Sequence, residues 1–116
     1  MPDGIKQHPE MEKCAHLCHE CQDACLGLIP HCLALGAEHA DARHIGLLVD
    51  CSVICAAAHN YLHRGSPLHG VTCRACAEVC EKCAEDCERI GVGDERMREC
   101  AAACLACAEA CRMNAS

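Results

Sequence analysis

Cysteines recur along this chain at steps of three, four and seven residues, and that spacing constrains the fold more than any other feature. They read Cys14, Cys18, Cys21, Cys25 and Cys32; Cys51 and Cys55; Cys73, Cys76, Cys80, Cys83 and Cys87; Cys100, Cys104, Cys107 and Cys111. An α-helix turns once in about 3.6 residues, so these steps stack side chains on one face. Thiols thus occupy the stripe that Leu, Ile and Phe ordinarily fill. A single buried cysteine is usually a small hydrophobe, but sixteen at helical spacing are not chance core residues.

Punctuation divides the chain into four helices. The pattern predicts helices over residues 10–35, 41–64, 67–90 and 95–113. Gly36, Gly65 and the Gly91-Val92-Gly93 run supply stops, Asp41 and Asp94 supply N-caps, and Ser66-Pro67 places proline at a first helical position. Pro30 is expected to kink the first helix between Cys25 and Cys32. Short connections force successive helices antiparallel, so the predicted fold is all-α: an up-down-up-down four-helix bundle with a cysteine-lined core, a single domain over residues 1–116.

Antiparallel alignment also matches levels along the bundle axis. Cys14, Cys73 and Cys111 fall at one end, opposite Ala58 and Leu62. Next come Cys18, Cys76 and Cys107; then Cys21, Cys55, Cys80 and Cys104; then Cys25, Cys51, Cys83 and Cys100. Cys87 and Cys32 lie toward the far end, among Leu28, Leu48, Ile90 and Met97. The expected interior is a tube of sulfur with an apolar plug.

Composition narrows the partners. With 10 Lys plus Arg against 17 Asp plus Glu, the formal charge is −7, the wrong sign for a nucleic-acid binder. One Tyr and no Trp or Phe leave no aromatic platform for single strands. The first nine residues contain no apolar stretch of the kind found in signal peptides, and no continuous apolar run reaches the length of about 18 that spans a bilayer. The expectation is a cytoplasmic protein without membrane contact, whose thiols stay reduced and available to metal.

Seven pairs, beginning with Cys14/Cys18, have Cys-x₃-Cys spacing. Their Cβ atoms should lie about 5–6 Å apart on a helix, wider than the roughly 3.5–4.5 Å of a disulfide. A metal ion bridges such a gap without distorting the helix. An all-thiolate lining selects soft ions and rejects Mg, Ca and Mn. Zinc prefers closed sets of four sulfurs, whereas Cu(I) accepts two or three and shares them with neighbouring ions. Unshared Cu(I)–dithiolate sites would each leave a negative charge in a dry core, so bridging should continue until copper and sulfur are near parity. The expected capacity is on the order of one Cu(I) per cysteine, about 16 per chain.

These features resemble the cytosolic copper storage proteins of bacteria. The resemblance rests on the cysteine ladder and on segments such as Arg64-Gly65-Ser66-Pro67-Leu68-His69 and Thr72-Cys73-Arg74-Ala75-Cys76-Ala77-Glu78-Val79-Cys80. It implies reversible, non-enzymatic storage of many Cu(I) ions by bundles that associate as tetramers. Exported members of the family carry Met and His around one mouth of the bundle; here Met is sparse. The alternatives are a zinc or cadmium buffer of metallothionein type, an iron–sulfur electron carrier and a copper-responsive regulator. The Cys73–Cys87 run alternates steps of three and four with no following Pro, unlike a cluster-binding loop. A regulator would need the basic face that is missing.

Among nine histidines, two fall on the cysteine lines. His69 precedes Cys73 by one turn and would close the Cys14/Cys111 end; His44 lies on the line of Cys51, near Cys32 and Met97. Each is a candidate terminal copper ligand or gate, against the plainer role of a polar cap. His16, His19, His31 and His63 project off the stripe toward solvent, while Met11, Met97 and His59 at its edges are read as packing. Leu47, Ile54 and Tyr61 repeat every seventh residue on the shoulder of the second helix and are candidates for a contact between subunits.

Overall fold

Each cysteine cluster lies on its own helix in the computed structural model, which describes residues 9–115. The amino-terminal segment read above for its lack of an apolar stretch lies outside them, apart from Pro9. The helices are α1 (Pro9–Leu35), α2 (Ala42–His63), α3 (His69–Ile90) and α4 (Glu95–Met113), with a short 3₁₀ turn, Ala37–Ala40, between the first two. Each helix packs on two neighbours in the cyclic order α1, α2, α3, α4. Their direction follows from sulfur contacts: Cys14 meets Cys111 and Cys25 meets Cys100, so α1 and α4 run antiparallel. The bundle measures 54 × 20 × 20 Å.

The predicted boundaries hold to within about two residues, the ordinary uncertainty of helix ends. Gly36 and Gly65 take positive φ values of 73° and 67°, a conformation that costs glycine little after a helix. Asp94 caps α4 by accepting from the backbone N–H groups of Arg96 and Met97 at 3.0 and 3.2 Å. Asp41 occupies the N-cap of α2, but its side chain makes no capping bond. The third helix differs from expectation because Ser66 and Pro67 form a turn ahead of it. Ser66 Oγ accepts from Leu68 N–H and its carbonyl from His69 N–H, so α3 begins at His69. Helix α1 continues through Pro30; the carbonyl that loses its partner there is that of Leu26, on the exposed side.

Packing explains how a chain almost free of aromatics closes a core. Ala15, Ala58, Ala77, Ala84, Ala101 and Ala108 are buried between the cysteine rows, and such small side chains let helix backbones approach closely. Large aliphatic groups are kept for the ends. Leu62 is buried at the Cys14 end, and Leu28, Leu48 and Met97 form the plug at the other. Among the described residues α2 is the one helix long and apolar enough to cross a membrane, with a mean hydropathy of 1.5 over an 18-residue window. Cysteine and alanine supply much of that value. The helix buries His44, Leu48, Cys51, Cys55, Ala58 and Leu62 in the bundle and leaves Val49 and Val53 exposed.

Candidate metal centre

All sixteen cysteines point inward, are buried and are unbridged. Their sulfurs form a nearly continuous path. Cys14 lies 3.7 Å from Cys111, Cys111 3.7 Å from Cys18, and Cys18 3.6 Å from Cys107. Cys107 reaches Cys55 and Cys76 at 3.9 Å, and Cys55 reaches Cys80 at 3.6 Å. Beyond that, Cys80–Cys51 is 3.6 Å, Cys51–Cys21 3.7 Å, Cys21–Cys104 3.6 Å and Cys104–Cys25 3.9 Å. Three sulfurs about 2.3 Å from a shared ion stand about 4 Å apart, so this lining is already spaced for metal.

The grouping is as informative as the distances. Cys14, Cys73 and Cys111 converge within 4.8 Å of one another, and so do four sets of four: Cys18/Cys76/Cys107/Cys111, Cys55/Cys76/Cys80/Cys107, Cys21/Cys51/Cys55/Cys80 and Cys21/Cys25/Cys51/Cys104. Consecutive sets share members. Isolated tetrahedral sites, each with four unshared thiolates, cannot all be filled from overlapping sets. An ion content with two or three sulfurs, bridged to its neighbours, fits this lining.

Proton affinity varies along the path. Burial pushes the Cys32 thiol up to about 11. Cys83, accepting chiefly from Cys104, is pulled down to about 5, and Cys100, accepting chiefly from the same thiol, to about 2. Cys104 itself is driven above the ordinary thiol range by Cys100 and its other neighbours, with burial adding to the effect. A few thiolates are thus stabilised by S–H groups around them, and each further one is harder to form. A soft cation that displaces the remaining protons relieves that opposition.

The two ends differ. At one, Cys32 Sγ stands 3.5 Å from His44 Nε2 and 3.6 Å from Met97 Sδ. His44 Nδ1 meets Asp86 Oδ2 at 2.8 Å, and Asp86 in turn accepts from Arg89 at 2.8 Å. Burial alone would raise the Asp86 carboxyl, but Arg89 and His44 hold it below the usual range. At the other end His69 opens α3 with its Nδ1–H donated to the Ser66 carbonyl at 2.8 Å. It does not join the Cys14/Cys73/Cys111 convergence.

A family model described as copper storage protein matches residues 6–116. The chain belongs to the copper storage protein family. Two solved structures share its architecture. The Nmul_A1745 protein from Nitrosospira multiformis is 36% identical, with 91% of this chain and 94% of that one covered and a TM-score of 0.85. The Cu(I)-bound copper storage protein BsCsp3 is 33% identical, with 92% and 99% covered and a TM-score of 0.84. A search of curated proteins finds no match.

For this copper storage family member, sequence reasoning placed the sulfurs but missed polar groups beside them. Met97, read as packing, contacts Cys32 through sulfur. Asp86 is only 4% exposed. Its signal was spacing, because it lies three residues after Cys83 and so shares the buried side of α3. His31, read as solvent-facing, bonds Asp94 at 2.8 Å, and His39 meets the same oxygen at 3.2 Å.

Proposed function

We propose that this protein stores Cu(I), many ions per chain, in the thiolate interior, with residues 1–116 acting as one binding domain. The overlapping sulfur sets carry the reading, because they suit an ion that shares thiolates with its neighbours. The ligands are Cys14, Cys18, Cys21, Cys25, Cys32, Cys51, Cys55, Cys73, Cys76, Cys80, Cys83, Cys87, Cys100, Cys104, Cys107 and Cys111. His44 serves as a terminal ligand through Nε2, beside Cys32 and Met97. His69 is the corresponding ligand at the other end, also through Nε2, since Nδ1 is engaged by Ser66.

Filling is a proton exchange: each Cu(I) forms bonds to sulfur as an S–H proton leaves to solvent. At parity of copper and thiolate the core is neutral, so the chain holds on the order of 16 ions. The role is storage and buffering, not catalysis. Unbridged thiols suit a reducing compartment, and we assign the protein to the cytoplasm. The family resemblance supports a homotetramer; exposed Val49 and Val53, with half-buried Leu47, Ile54 and Tyr61, offer α2 as the contact face.

Titration of the reduced protein with Cu(I) against a calibrated chelator tests this reading. Saturation near one ion per cysteine supports it. Saturation near four ions, with zinc bound more tightly than copper, would replace it with a zinc buffer.

A further inference from the structure

Four histidines that the sulfur interior does not use gather on the outside of the bundle. His16 and His19 from α1 and His59 and His63 from α2 line a hollow of about 320 Å³, together with Glu12 and Ala15. His59 is at the centre. Its ring lies 5.5 Å from that of His19 and 5.7 Å from that of His63, centroid to centroid. We propose that this hollow is a second metal site, taking a borderline divalent cation of the Zn(II) class on imidazole nitrogen, separate from the thiolate interior.

Spacing supports the assignment. Two imidazoles bound to one tetrahedral ion, with metal–nitrogen bonds of about 2.0–2.1 Å, hold their ring centroids roughly 5–6 Å apart. Both measured separations fall there. His59 and His63 are four residues apart on α2, and His16 and His19 three apart on α1, so each pair presents one helix face. Imidazole with a carboxylate suits borderline ions, whereas the interior suits soft ones, so the two sites select different metals.

The orientation of His59 adds a second observation. Its Nδ1–H donates to the Ala15 carbonyl at 2.9 Å, which fixes the tautomer and leaves Nε2 with its lone pair. A backbone carbonyl on the far nitrogen is how ligating histidines are commonly held. His19 directs Nε2 toward Asp23 at 3.5 Å, leaving Nδ1 for a ligand, and His16 Nε2 stands 4.0 Å from Glu20. The nitrogens do not yet converge as the sulfurs do. Closing them needs rotation of His19 and His63, both exposed at the surface.

The test uses the full chain, reduced and first saturated with Cu(I) so that thiols are occupied. Zn(II) is then titrated against a competing chromophoric chelator, and its surroundings are read by X-ray absorption. The expected result is about one Zn(II) per chain in a nitrogen and oxygen shell at about 2.0–2.1 Å. The His19→Gln/His63→Gln double variant should bind at least tenfold more weakly with Cu(I) capacity unchanged. Absence of saturable Zn(II) uptake, sulfur in the zinc shell, or equal binding by the variant would each overturn the proposal.

Discussion

His44 Nδ1 lies 2.8 Å from Asp86 Oδ2, with the two side chains 1% and 4% exposed. The carboxylate accepts from Nδ1–H, which leaves the Nε2 lone pair facing Cys32 Sγ. Asp86→Ala would leave a buried N–H without its acceptor, at a cost of about 1–3 kcal/mol. The copper-free variant should melt several degrees lower by circular dichroism. Loss of this orienting partner should also weaken Cu(I) at the Cys32 end by about 10–100-fold, leaving the other sites intact. Unchanged melting and unchanged binding would show the contact to be inert.

Strong acid should loosen the start of α4. His31 holds the Asp94 carboxyl at about 2, assisted by the Met97 N–H and against partial burial. A carboxyl lowered in the folded state stabilises fully above its ordinary value near 4 and loses that contribution as pH falls toward 2. Asp94→Ala should cost about 1 kcal/mol at neutral pH through the lost N-cap. Thermal melts of the two proteins should converge on acidification between pH 4 and pH 2.

Gly91 has no room for a methyl group. A Cβ there would lie 2.3 Å from Met97 Cβ and 2.7 Å from the Cys87 carbonyl oxygen. Since its φ is −94°, contact and not backbone conformation makes glycine necessary. Gly91→Ala should cost about 1–3 kcal/mol by overpacking. It should also displace Met97 from Cys32, so a melt that matches wild type would contradict the packing at this end.

Cargo capacity should follow individual sulfurs. Cys104 touches Cys21, Cys25 and Cys51, whereas Cys14 lies at the edge of the ladder. Cys14→Ala should lower saturation by about one Cu(I), and Cys104→Ala by about one or two, because more ions share its thiolate. Chelator-competition titrations of both variants decide this; equal wild-type capacity in both would show that these sulfurs hold no copper.

The ladder was legible because period and residue type agreed: steps of three and four on four segments leave one way to turn every thiol inward. The polar surroundings were less so. Asp86 shares the spacing of Cys83, but an acidic residue is rarely buried unless paired, and its partners His44 and Arg43 lie on another helix. His31 and Asp94 are 63 residues apart, beyond any local pattern. The start of α3 was misplaced because Ser66 and Pro67 fit both an N-terminal signal and a turn. Only the hydrogen bonds to Ser66 distinguish them.

The bundle is 54 Å long and 20 Å across, with its sulfurs in file along the axis. Such a shaft imposes a queue. Ions bound near Cys14 or Cys32 would have a short way out, while any bound at Cys21, Cys51 and Cys80 would have to pass their neighbours. A half-emptied protein would therefore keep its middle and surrender its extremities first, so withdrawal would slow as the reserve shrinks.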